Sequence, residues 1–412
     1  LLRHADQAMY QAKQEGKNSY QFFDVNEAQK IANQQRQLQE IQHALIKNEL
    51  CMYYQPKVNM VSGDITGVEA LIRWQHPDKG LIPPIEFLPV LDGTELELQI
   101  GDWVIEQGLA QLELLNDHDI EIEVSVNVSS NQFLSSSFFG NLNHALDRHR
   151  NIDSRYFQLE VLESSALGNL DQINHIIKAC RNKLGVSIAL DDFGTGYSSL
   201  SHLSKLPADT IKIDQGFVRD VLDDPNDFAI IDGVVGLASS FNKQLIAEGV
   251  ETTEHGLMLL LMGCNDAQGY AISRPMPASE LVDWINDYSP NPTWIESGQE
   301  DMTPKVRRVK QLELMLTHWL KNVEQILQND SEEPIEMSHV NCHFGRWIRR
   351  LRQDELFKDV WLDKLQQTHD VMHFVAKELV DAHQSGTSPT REESDRLHTA
   401  FEKTLNVMDQ DQ

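Results

Sequence analysis

From Cys51 to about Tyr288 the chain alternates between short strand-like runs and amphipathic helical stretches, and this alternation constrains the fold more than any other feature. The strand-like runs cover 51–58, 65–71, 121–128, 157–162, 186–190, 210–213 and 244–247, with a weaker one near 267–270. Helical patterns such as 171–183 and 228–241 fill most of the gaps. Eight strands with intervening helices predict an α/β fold of the (β/α)8 TIM-like barrel type. An open doubly wound sheet fits less well, because no glycine-rich phosphate loop follows the first strand.

The 412 residues exceed one ordinary core, so more than one domain is expected. Residues 1–24 predict a helix and a strand, and 25–36 form a polar, Gln-rich connector. The barrel spans 37–287, and 288–304, with Ser289, Pro290, Pro292, Gly298 and Pro304, makes a linker. Strand patterns then stop, and 305–412 predict a small all-α helical bundle. The opening Leu1-Leu2-Arg3-His4 has neither an initiator Met nor a secretory signal, and is expected to be a cut into a longer protein. No run reaches the roughly 18 apolar residues of a membrane span, although an upstream part would be free to carry an anchor. Cys51, Cys180, Cys264 and Cys342 form no CxxC pair and suit a reduced, cytoplasmic compartment. A formal charge of −28 opposes binding to DNA or RNA. It does not oppose a phosphate ligand when divalent cations stand between carboxylates and phosphates.

Seven of the eight expected strands end in, or just beyond, a polar residue: Glu69, Asn127, Glu160, Asp191, Lys212, Glu248 and Gln268. Barrel chemistry sits at the C-terminal ends of strands. Any one of these residues alone reads as a helix cap or a surface charge; seven together do not. Crowded carboxylates repel unless cations neutralise them, and an oxygen-only donor set selects Mg²⁺ or Mn²⁺ over Zn²⁺.

Glu69-Ala70-Leu71-Ile72-Arg73-Trp74 resembles the signature of EAL cyclic di-GMP phosphodiesterases. Asn127-Val128-Ser129, Glu160-Val161-Leu162-Glu163, Asp191-Asp192-Phe193-Gly194, Lys212-Ile213-Asp214, Glu248-Gly249-Val250-Glu251 and Gln268-Gly269-Tyr270 match in order and spacing. The resemblance implies hydrolysis of cyclic di-GMP to linear pGpG with two Mg²⁺ or Mn²⁺ ions. It assigns Glu69, Asn127, Glu160 and Asp191 to the first metal, and Asp191, Asp192 and Glu248 to the second. Lys212 would assist the water nucleophile, Glu251 and Gln268 would complete the water and ligand network, and Arg73 would hold a phosphate oxygen. Glu163 would brace the 192–199 loop, and a homodimer is implied. Leu162 replaces the more usual Thr and is expected to point away from the metal face. Segment 91–98 also departs from the family pattern, which bears on local packing or dimer geometry.

At the N-terminus, Ala5-Asp6-Gln7-Ala8-Met9-Tyr10 with Gly16-Lys17-Asn18 resembles the last helix and strand of a GGDEF domain, implying an upstream GGDEF or sensor region. At the other end, His318-Trp319-Leu320, Cys342-His343-Phe344-Gly345-Arg346-Trp347 and the His369/His373 pair resemble the chemoreceptor zinc-binding (CZB) domain. Equal gaps separate Leu320 from Cys342 and Trp347 from His369. The resemblance implies one Zn²⁺ on His318, Cys342, His369 and His373 and regulation by zinc or thiol state, with His339 the rival for the His318 place. The plainer reading, ordinary histidines in a His-rich helical segment, is outweighed by Cys342 and His318 at family spacing. Two other functions compete, a receptor that holds cyclic di-GMP without hydrolysis and a zinc-responsive signalling scaffold. The full set of ligand positions favours hydrolysis.

Overall fold

The computed structural model describes residues 25–163, 170–195, 206–328, 337–339, 342–352, 356–387 and 389–409. The 1–24 segment and residues 196–199 of the 192–199 loop lie outside the described residues.

A polar helix α1 (Val25–Ile46) leads into strands β1 (Leu50–Asn59), β2 (Ile65–His76) and β3 (Gly80–Ile82). Then come α2 (Glu95–Asp117), β4 (Glu123–Val128), α3 (Phe138–Arg148), β5 (Phe157–Leu162), α4 (Leu170–Ala179) and β6 (Ser187–Phe193). The rest of the barrel is β7 (Thr210–Ile213), α5 (Pro225–Ser240), β8 (Gln244–Ala247), α6 (Thr253–Met262), β9 (Asp266–Gln268), β10 (Met276–Pro277) and α7 (Ala278–Asp287).

Strands β1, β2 and β4 to β9 close into an eight-stranded ring, with β3 and β10 as appended edges. From β2 to β9 neighbours in the ring run parallel. Strand β1 runs against both β2 and β9. Only residues 60–64 join β1 to β2, and a parallel pair needs a crossover of about a dozen residues or more. Strand β2 continues past Leu71 to His76, where β3 turns back on it.

The departing segment 91–98 closes a reciprocal cap on α2. Thr94 Oγ1 accepts from the Glu97 amide at 3.3 Å, and Glu97 Oε2 accepts from the Gly93 amide at 2.8 Å.

Within 288–304 stands a further helix, α8 (Pro292–Gln299), capped by Asn291 and begun by Pro292. Trp294 anchors it, 2% exposed, donating from Nε1 to the Thr253 carbonyl at 2.9 Å. A Cβ on Gly256 would lie 2.4 Å from that indole, so only glycine permits the approach.

The bundle comprises α9 (Pro304–Leu327), α10 (His343–Leu351), α11 (Asp359–Gln384) and α12 (Arg391–Asp409). Its apolar faces meet the barrel's outer helices. Gln311 of α9 donates to the Leu261 carbonyl of α6 at 2.9 Å. On α10, Trp347 packs edge-on against Phe228 of α5 with ring centroids 4.7 Å apart. Beside it His343 Nδ1 lies 3.0 Å from the Leu222 carbonyl. No helix among the described residues is long and apolar enough to cross a membrane.

Candidate active site

Strand alternation aims one side chain in two into the ring, and the barrel rim gathers those of several strands around Lys212. Its Nζ lies 2.6 Å from Glu160 Oε2, 2.5 Å from Glu248 Oε1, 3.1 Å from Asp191 Oδ1 and 3.5 Å from Glu69 Oε2. Two amides orient Glu69: Asn127 Nδ2 donates to Oε1 and Gln268 Nε2 to Oε2, each at 2.7 Å. Asp191, Asp192 and Glu248 each place one carboxylate oxygen within 4.8 Å of the others. The Asp191–Asp192 step is tight, because Asp192 adopts φ +52° and its amide donates to Asp191 Oδ1 at 3.1 Å.

A cavity of about 330 Å³ opens on this cluster, lined among others by Arg73, Glu69, Asp191, Glu248, Glu251 and Gln268. Glu163 lies behind the rim and accepts from the Gly194 amide at 2.9 Å. Leu162 points outward, 38% exposed.

The rim carries more negative charge than its lysine offsets. Burial, then the neighbouring Glu160, pushes Glu69 up to about 6. Burial, then Asp191, pushes Asp192 up to about 6. Burial likewise drives Glu248 well above the usual carboxylate range, against the pull of Lys212. Burial would raise Glu160 too, but Lys212 and Lys57 outweigh it and hold that carboxyl low. Burial opposes the Lys212 charge, and the surrounding carboxylates, Glu160 foremost, more than restore it. Gln268 Oε1 is buried with no hydrogen-bond partner. Unneutralised carboxylates and an orphaned amide oxygen are the donor set of a hard divalent cation, so the residues present fit Mg²⁺ or Mn²⁺.

Two inward residues of β1 join this network without having been singled out in the sequence. Gln55 Oε1 accepts from Gln268 Nε2 at 3.0 Å, and Lys57 Nζ donates to Glu160 Oε1 at 3.0 Å. The signal was there: Gln55, Lys57 and Asn59 place a polar residue at every second position of a strand in the barrel wall.

In the bundle, Cys342, His369 and His373 come together with ligating atoms within 4.8 Å of one another, all buried. Cys342 Sγ lies 3.3 Å from His369 Nε2 and accepts from the Gly345 amide at 3.2 Å. The Met337 carbonyl, 3.1 Å from His373 Nδ1, helps fix the orientation of that ring. His369 Nδ1 is buried without a hydrogen-bond partner. Burial, then His373 and His339, keeps the His369 imidazole well below its ordinary pKa and hence neutral. These residues fit a zinc ion.

His318 does not join them. One residue is about 100° of helical turn, so Trp319 packs on the His373 ring at 4.2 Å while His318 Nε2 turns to Asp223 Oδ2 at 3.0 Å. His339 lies nearer: its carbonyl is 3.8 Å from Cys342 Sγ and its Nε2 3.9 Å from Asp370.

Fold and rim together define an α/β barrel whose rim donors suit divalent cations. A profile of the EAL domain matches residues 38–275, more than half of the chain, and the chain belongs to the EAL domain family. It is 42% identical over 286 residues to the bifunctional diguanylate cyclase/cyclic di-GMP phosphodiesterase MucR of Pseudomonas aeruginosa, covering 68% of this chain and 41% of that protein. It is 35% identical over 288 residues to the cyclic di-GMP phosphodiesterase PdeR of Escherichia coli, covering 70% and 43%. The chain thus spans less than half the length of these two relatives. Among solved structures it resembles the PaMucR phosphodiesterase in complex with c-di-GMP, at 40% identity and a TM-score of 0.58, covering 60% of this chain and 99% of that one.

Proposed function

We propose that this chain hydrolyses cyclic di-GMP to linear pGpG at the barrel rim. The observation that carries the proposal is the convergence of Glu69, Glu160, Asp191 and Glu248 on one buried lysine, beside a cavity that also holds Arg73. Family membership and the printed activities of MucR and PdeR support it. Glu69, Asn127, Glu160 and Asp191 would hold one Mg²⁺ or Mn²⁺, and Asp191, Asp192 and Glu248 the other, with Asp191 shared. When bound, such ions neutralise phosphate oxygens and lower the pKa of a water. Arg73 binds a phosphate oxygen, and Lys212 orients the attacking water and offsets the charge that develops. Glu251 and Gln268 complete the water and ligand network, and Glu163 braces the loop that follows Asp192. Phosphorus NMR of cyclic di-GMP incubated with the full chain and Mg²⁺ tests this reading. A new monoester resonance from pGpG is expected, and an unchanged spectrum refutes hydrolysis.

A second metal belongs to the proposal because a second donor set is present. Cys342, His369 and His373 bind Zn²⁺, and His339 takes the fourth place instead of His318. Three histidines and a thiolate suit tetrahedral zinc. A reduced, cytoplasmic setting keeps Cys342 available, and its oxidation releases the metal. Cys342 caps α10, and α10 packs on α5, which connects β7, the strand of Lys212, to β8, which ends just before Glu248. Zinc or thiol state thereby regulates the barrel. Zinc analysis of the full chain tests the ligand choice. His339→Ala should lose zinc and His318→Ala should keep it, and the reverse result restores His318. A homodimer and an upstream GGDEF or sensor region complete the reading.

A further inference from the structure

Interiors of parallel barrels are ordinarily filled by branched apolar side chains. One layer below the rim this barrel holds a lysine instead. Lys57 is inside the ring, its side chain 1% exposed, with β1 placing it opposite Gly67 of β2 and Gln268 of β9. Its ammonium donates to Glu160 Oε1 at 3.0 Å and to Gln158 Oε1 at 3.3 Å, and Glu123 Oε1 lies 3.6 Å away. Gln158 and Ser187 in turn donate to Glu123 Oε2 at 2.9 and 3.2 Å, so the base of this layer is fixed.

Glu160 is therefore divided between two cations. Oε1 is taken from below by Lys57, while Oε2 faces the rim and accepts from Lys212 at 2.6 Å. A buried ion pair is weak evidence for stability, since well-packed apolar groups of equal volume serve as well or better. What an ammonium supplies here and an apolar group does not is a directional hold on one carboxylate oxygen. We propose that Lys57 is a positioning residue for the hydrolysis, holding Glu160 through Oε1 so that Oε2 alone is presented to the rim as a metal ligand. This rests on the metal-dependent reading above. The role is that of the outer partners that orient metal-binding side chains elsewhere, whose removal costs about 10- to 100-fold in metal affinity or activity.

The test is a Mn²⁺ titration of the full chain without substrate, followed by the electron paramagnetic resonance of free Mn²⁺, alongside steady-state hydrolysis of cyclic di-GMP. Lys57→Met should weaken Mn²⁺ binding about tenfold and lower kcat comparably with KM unchanged. Glu160→Gln should also weaken binding, and adding Lys57→Met to it should cost nothing more, because the hold has no ligand left to orient. Should Lys57→Met fail to fold, Lys57→Met with Glu123→Gln removes both charges of the lower layer and should show the same Mn²⁺ loss. A lower melting temperature with unchanged Mn²⁺ affinity, or losses that add in the double variant, overturns the assignment. So does a wild-type chain that binds no Mn²⁺. A wild-type chain that binds Mn²⁺ but yields no pGpG refutes the hydrolytic reading alone, and the Mn²⁺ comparison still decides Lys57.

Discussion

The barrel rim and the bundle cluster both gather groups able to ligate a cation, and they do so with opposite materials. At the rim, carboxylates crowd together, and burial and mutual repulsion push Glu69 and Asp192 up to about 6. In the bundle a thiol and imidazoles crowd together, and burial keeps His369 neutral by pulling its pKa down. The rim is ready for a hard ion once its carboxyls are ionised, and the bundle for a soft one once its imidazoles are neutral. Both become competent as pH rises, through different groups. If both sites fill as proposed, donor chemistry alone would sort two metals within one chain.

The largest expected effect comes from removing Asp191, the carboxylate proposed to be shared by both rim metals. Asp191→Ala should lower kcat about a thousandfold or more, the scale of losing a principal electrostatic stabiliser of the transition state. Glu69→Ala should follow closely, with zinc content unchanged in both. Near wild-type turnover in Asp191→Ala, measured as pGpG formed, would remove the two-metal assignment.

Next comes acid. Glu69 and Asp192 must lose protons to serve as ligands, so Mn²⁺ affinity should fall as pH drops through about 6. The depressed pKa of His369 acts on folding in the same direction. Below its ordinary value of 6.5 the unfolded chain binds a proton that the folded bundle does not, so bundle stability falls as pH drops below that value. Calorimetric Mn²⁺ titrations and thermal melts between about pH 5 and 7.5 check both signs, a range set by one unit either side of these pKa values. Tighter Mn²⁺ binding at pH 5 would contradict the rim account.

The legibility of the two regions differed for a physical reason. Strands β5 and β7 fall where periodicity put them, since apolar residues alternate along them, Phe157, Leu159 and Val161 in one and Ile211 and Ile213 in the other. The rim residues were legible because seven polar groups at strand ends are together too many to be helix caps or surface charges. Lys57 was passed over because it stands inside a strand, where charge shows only as alternation with Gln55 and Asn59. In the bundle, His369 and His373 are four apart on one helix and share a face by arithmetic. Whether His318 or Trp319 faces them depends on how α9 is rotated, which single-residue spacing does not determine. Helix α8 escaped because it has few apolar residues, though Asn291-Pro292 is a helix start in plain view.

Smaller effects sharpen the link between the regions. Trp347→Ala removes the edge-on contact with Phe228, a pair worth about 1 kcal/mol beyond its burial. Phosphodiesterase activity in this variant should respond less to added zinc than in the wild type, while zinc content stays the same. An undiminished response would move the coupling elsewhere. Glu163→Ala deletes the acceptor of the Gly194 amide and should lower kcat about three- to tenfold, the scale of one such bond. Unchanged kinetics would remove its bracing role.

The central claim, two sites that sort two metals, is tested most directly by metal analysis of the full chain equilibrated with Zn²⁺ and Mn²⁺ together. The account predicts about one zinc per chain, lost in Cys342→Ala while manganese is retained, and manganese lost in Asp191→Ala while zinc is retained, as distinct donor sets require. Zinc that survives Cys342→Ala but leaves with Asp191→Ala would contradict it.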